Sequence, residues 1–138
     1  MMKRVLLVED DDLDAGLVEE AVRRHASHLR LERAASADTA WDLLRQRALK
    51  GRDGLPVCIL LDMVMGEHDG AWLLRKMEGL PALRDIPVLV LSQRGDAVEE
   101  ARTFGNVVGA AEKPARDAER RRLVSDLLRL AGGMGVPV

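Results

Sequence analysis

At 138 residues, 47% of them hydrophobic, the chain is long enough for one domain with its own core and needs no metal or disulfide staple. Its 23 acidic and 21 basic side chains nearly cancel and no long basic block occurs, so nucleic acid is not an expected partner. The single cysteine, Cys58, excludes an intramolecular disulfide, and the apolar run after Met1-Met2-Lys3-Arg4 is too short for a signal-peptide core or a membrane span, so a cytoplasmic protein with no membrane attachment is expected.

Strand-like runs and helical patterns alternate along the chain. The first strand is expected over Arg4 to Glu9, followed by a helix from Asp12 or Leu13 to Ala26 with Leu17, Val18, Ala21 and Val22 on one stripe. Leu29 to Ala34 alternates with period two, as an edge strand does. Ser36 or Asp38 can cap the next helix, whose stripe is Ala37, Ala40, Trp41, Leu44 and Ala48. A loop, 50–56, leads to the continuous apolar run Pro56 to Leu61, the pattern of a central strand buried on both faces. The third helix is expected from Asp69 to Glu78, closed by Gly79 and Pro81. A strand over Ile86 to Leu91, a helix over Gly95 to Phe104, a strand over Val107 to Ala111 and a helix over Asp117 to Ala131 complete the order. This alternation predicts an α/β fold, a doubly wound five-stranded parallel sheet with helices on both faces. No repeat or linker appears, so a single stand-alone domain over 1–131 is expected, with 132–138 as a flexible tail.

In such a sheet, ligands gather outside the carboxyl ends of the strands. Asp62 stands at the end of the most apolar run, Asp10 follows the first strand, Ser92 the fourth and Lys113 the fifth, so four strand ends converge on one edge. Clustered carboxylates repel one another unless a cation lies between them, and oxygen-only donors favour the hard cation Mg²⁺. A lysine and a hydroxyl add what the oxygens of a phosphoryl group require. The set suggests phosphoryl transfer onto a carboxylate.

These residues resemble a known family. Val5-Leu6-Leu7-Val8-Glu9-Asp10-Asp11, Ile59-Leu60-Leu61-Asp62-Met63-Val64-Met65-Gly66, Val88-Leu89-Val90-Leu91-Ser92 and Lys113-Pro114, in that order, are similar to the receiver domain of bacterial two-component response regulators, with its flavodoxin-like fold. The resemblance implies that Asp62 accepts a phosphoryl group from a sensor histidine kinase. It implies that Asp10, the backbone carbonyl of Val64 and, mainly through water, Glu9 join Asp62 in holding Mg²⁺. Ser92 and Lys113 would bind the phosphoryl oxygens, and Pro114 would follow a cis peptide bond. The protein would be a signalling switch that takes part in its own phosphotransfer and autodephosphorylation. Its other partners would be a downstream protein target or phosphotransfer protein, or a second copy of the chain.

Departures from the family pattern are expected to matter. Ala110 stands where an aromatic residue is usual, Gly66 replaces a proline, Gln93 a small residue, and Glu112 places an acid beside Lys113. An interaction module that phosphorylation does not switch is therefore the alternative reading. A dehalogenase-type phosphatase motif fails after Asp10 and Asp12, and a calcium loop starting at Asp10 lacks both its turn glycine and its final acid. His25, His28 and His68 have no ligand-like spacing and are expected at the surface.

Overall fold

The computed structural model describes residues 3–91, 95–111 and 113–132. Five strands, β1 (Lys3–Val8), β2 (Leu29–Ala34), β3 (Cys58–Asp62), β4 (Val88–Leu91) and β5 (Val107–Ala111), form one sheet in the order β2-β1-β3-β4-β5, with every pair parallel. The helices are α1 (Asp12–His25), α2 (Ala37–Leu49), α3 (Gly70–Glu78), α4 (Pro81–Arg84), α5 (Gly95–Ala101) and α6 (Asp117–Ala131).

Continuous apolar strands are explained by two cores, one on each face of the sheet. Leu6, Val8, Ile59, Leu61, Val88 and Val90 point to the face covered by Leu44 of α2 and by Leu73, Leu74 and Met77 of α3. Their neighbours Val5, Leu7, Cys58, Leu60, Leu89 and Leu91 point to the other face, against Val18 and Val22 of α1 and Leu123, Val124 and Leu127 of α6. A period of two on a sheet covered on both faces leaves no position for a polar residue until the strands end. Burial pushes the Cys58 thiol up to about 12, so it is an inert core residue.

Helix starts are set by side-chain caps. Asp11 accepts from the Asp14 amide at 2.9 Å, Ser36 from that of Thr39 at 3.0 Å and Asp69 from that of Trp72 at 2.9 Å. Three expectations need correction. Gly79 caps α3, but Pro81 opens the additional short helix α4, a position its missing N–H and fixed φ suit, and Leu83 is thereby fully buried. The fourth strand starts at Val88, since Ile86 still belongs to the turn after α4, where its amide donates to Leu83, and Pro87 has no amide to give the ladder. The fifth helix ends at Ala101, and the amide of Phe104 closes a turn on the Ala101 carbonyl.

Candidate functional site

Parallel pairing brings the expected residues to one edge. Val8 lies opposite Leu61, and Asp62 opposite Leu91, so Glu9 and Asp62 emerge side by side at the carboxyl end of the sheet. Glu9 and Asp62 are buried at 1% and 3% exposure, while Asp10 is exposed. Oxygens of Glu9, Asp10 and Asp62 lie within 4.8 Å of one another. Lys113 reaches in from the segment after β5, with Nζ 2.8 Å from Glu9 Oε1, 2.8 Å from Asp14 Oδ2 and 3.3 Å from Asp62 Oδ2.

The loop after β3 is tied to its carboxylate. The amide of Val64 donates to Asp62 Oδ1 at 3.0 Å, and the amide of Gly70 returns to the Met63 carbonyl at 3.2 Å. A Cβ on Gly70 would stand 2.8 Å from Met63 Cα and 2.9 Å from the Asp62 carbonyl oxygen, so only glycine allows α3 to start this close to the end of β3. Gly66, at the tip of the same loop, has no atom within 4 Å of such a position.

Charge accumulates where water is excluded. Burial raises the Glu9 carboxyl to about 8, with hydrogen bonding to and repulsion from Asp62 adding to it and Lys113 opposing it. For Lys113, burial would lower its pKa. Its hydrogen bonds to Asp14 and Glu9 and the charges of Asp62 and Glu9 outweigh this and hold the ammonium above the usual lysine range. The ammonium pairs with Oε1 of the buried Glu9 carboxylate. Buried carboxylate oxygens so close to two other acids form a donor set suited to a hard divalent cation.

Ser92 lies outside the described residues, as do Gln93, Arg94 and Glu112, and the roles expected for Ser92 gain no geometry here. Among the described residues no peptide bond is cis, which corrects the expectation for the bond before Pro114. His25 and His28 are exposed as expected; His68 is half-buried, stacked on Trp72 with ring centroids 4.2 Å apart and paired with Asp38.

Two residues of this edge escaped the sequence reading. Asp14, one acid among several at a helix start, is a direct partner of Lys113; its spacing, one helical turn after Asp10, is the signal that would have placed it over the site. Arg33, at the end of β2, donates from Nε to the Glu9 carbonyl at 3.0 Å and pairs with Asp12 at 2.9 Å, fixing the turn that carries Glu9 and Asp10.

Known proteins resemble this chain in sequence and fold. Residues 5–125 match the response regulator receiver domain family. A probable methanogenesis regulatory protein, FilR2 of Methanothrix harundinacea, is 32% identical over 124 residues, 89% of this chain and 79% of that protein. Response regulator Rcp1 of Synechocystis is 32% identical over 90 residues, 65% of this chain and 61% of that protein. Other relatives are longer: the chain spans about a fifth of PleD of Caulobacter vibrioides. The structure of the phosphorylated cyanobacterial phytochrome response regulator RcpA superposes with a TM-score of 0.80 at 25% identity, covering 100% of both chains. That of the Mn²⁺-bound form of Rcp1 does so with 0.76 at 26% identity, over 99% of both. In sequence and in fold, the chain belongs to the response regulator receiver domain family.

Proposed function

We propose that this protein is a phosphorylation-dependent response regulator in which Asp62 accepts a phosphoryl group from the phosphohistidine of a sensor histidine kinase. The observation that supports this most directly is a nearly buried carboxylate, Asp62, with a lysine ammonium at 3.3 Å and two further acids alongside. An Asp62 oxygen attacks phosphorus in line; the phosphorus–nitrogen bond breaks, its electron pair stays on the imidazole, and an acyl phosphate forms on Asp62. Hydrolysis by water would return the carboxylate, which makes autodephosphorylation part of the cycle.

Glu9, Asp10, Asp62 and the Val64 carbonyl would hold Mg²⁺, whose chemistry is to offset charge on the transferring oxygens. Lys113 neutralises the phosphoryl group on the opposite side, and Ser92, one residue beyond β4, would hydrogen-bond it. The Val64 amide orients Asp62 by holding its Oδ1. Among the described residues no helix is long and apolar enough to cross a membrane, in keeping with a cytoplasmic switch whose output is contact with a target protein, a phosphotransfer protein or a second copy. A module not switched by phosphorylation is the second reading, supported by Ala110, an exposed small residue where the family carries an aromatic.

Incubation with acetyl phosphate and Mg²⁺ should add one labile phosphoryl group, seen by intact mass and phosphate-affinity gel, that Asp62→Asn abolishes. Equal labelling of wild type and Asp62→Asn would remove Asp62 from the mechanism. Labelling of Asp62 that changed neither partner binding nor self-association would favour the unswitched module.

A further inference from the structure

The chain has three aromatic residues of the Phe, Trp and Tyr classes, and both tryptophans lie on helices that cover one face of the sheet: Trp41 on α2 and Trp72 on α3. Between α2 and the α3–α4 turn runs a groove of about 440 Å³ whose apolar wall includes Trp41, Ala48, Leu80 and Pro81. Leu49 stands at its rim with 86% exposure, more than any other large apolar side chain among the described residues. A half-buried tryptophan, a bare leucine and a concave apolar wall together are the composition of a binding hot spot.

The charge of the groove is one-sided. Arg45 and Lys76 line it and no carboxylate does. Their positions are held by aromatic rings: the Arg45 guanidinium carbon is 5.9 Å from the Trp41 centroid, and Lys76 Nζ is 5.6 Å from that of Trp72. Arg45 also pairs with Asp42 at 2.7 Å, whereas Lys76 has no carboxylate partner among the described residues.

We propose that this groove docks an amphipathic helix of a partner protein, with an apolar ridge in the groove and flanking carboxylates on Lys76 and Arg45. A trough between helices, with its tryptophan set into the wall, fits a ridge; Leu49 is the one large apolar side chain of the groove that projects, whereas a lipid surface would need several. The site is independent of the chemistry at Asp62, so the two proposals stand or fall separately.

Selection of a random peptide library displayed on phage, on wild-type protein with a Leu49→Ser, Lys76→Glu double variant as counter-selection, tests it. Both positions are exposed, and far-ultraviolet circular dichroism checks that the variant folds. Enriched peptides should carry apolar residues three or four apart flanked by Asp or Glu. Trp41 and Trp72 are the only tryptophans, so their emission reports binding directly. A synthetic enriched peptide should give a saturable shift that Lys76→Glu weakens about tenfold, and Lys substituted for the peptide's acid should recover binding to that variant. Peptides that do not distinguish the two proteins, or a consensus without acids, would overturn the proposal. So would self-association that Leu49→Ser abolishes, or sedimentation with phosphatidylglycerol vesicles.

Discussion

In β3 every residue from Cys58 to Asp62 is buried, whereas in β5, from Val107 to Ala111, half-buried and exposed residues alternate. The two strands share a sheet and differ in place. β3 is central, paired with β1 and β4 and covered on both faces; β5 is one of the two edge strands, and its register with β4 slips between Val88 and Leu89. Beside β5, under the short helix α5, lies a shallow hollow of about 190 Å³ bordered by Val98, Ala101, Val107 and Ala110. The proposed phosphoacceptor is thus carried by a strand buried along its whole length, with the less tightly packed β5 one strand further on, beyond β4. Charge added to Asp62 finds few ways to be relieved within β3, and the nearest packing able to rearrange is on the β5 side.

Truncation tests this contrast with the largest effect. Leu61→Ala removes a fully buried side chain from β3 and should cost about 3 kcal/mol of stability, while Val108→Ala, at 41% exposure in β5, should cost less than about 0.5 kcal/mol. Urea unfolding midpoints measure both. Equal losses would mean that β5 is packed as tightly as the strand bearing Asp62, and the contrast would fail.

A finer test lies within the loop that follows β3. Gly70→Ala forces a methyl group against backbone atoms of Met63 and Asp62 and should cost about 1–3 kcal/mol. It should also slow acetyl phosphate labelling, because the Asp62 end of β3 moves. Gly66→Ala meets open space and no left-handed backbone, so it should change stability by less than about 0.5 kcal/mol in either direction. If Gly66→Ala proved the more damaging, the loop would be anchored at its tip and not at the start of α3.

The sequence carried most of this architecture because the inner strands β1, β3 and β4 centre on apolar runs that end in a polar residue, β2 alternates with period two, and Asp11, Ser36 and Asp69 are strong caps. β2 and β5, and the last helix, were placed to the residue. The convergence of Asp10, Asp62 and Lys113 was legible from strand ends alone, since parallel strands must share a carboxyl edge, whereas Glu9 entered through the family resemblance and Ser92, expected with them, lies outside the described residues. Other features needed coordinates. α4 was missed because a proline after a glycine reads equally as a stop or as a first helical turn. Gly70 resembled any helix-start glycine until the backbone of Met63 was found against it. Arg33 and Asp14 are charged residues in solvated patterns, and only the register of β1 with β2 and the first turn of α1 aim them at the site.

Asp14 gives the smallest and most informative test. An ammonium has three N–H bonds, and Lys113 places carboxylates of Glu9, Asp14 and Asp62 within ion-pair distance of all of them. A phosphoryl oxygen must therefore displace a partner, and Asp14 is the one outside the acidic cluster that would hold a cation. The Lys113 and Asp14 side chains are 21% and 31% exposed, so losing their pair in Asp14→Asn should cost no more than about 1 kcal/mol. The same release should raise the fraction phosphorylated at limiting acetyl phosphate by about two- to fivefold, since a competitor worth up to that energy is gone. Intact mass over a phosphodonor titration measures the change. A fall instead of a rise would show that Asp14 aims Lys113 at the phosphoryl group and does not compete for it, so that the first turn of α1 would act with β3 in holding the site.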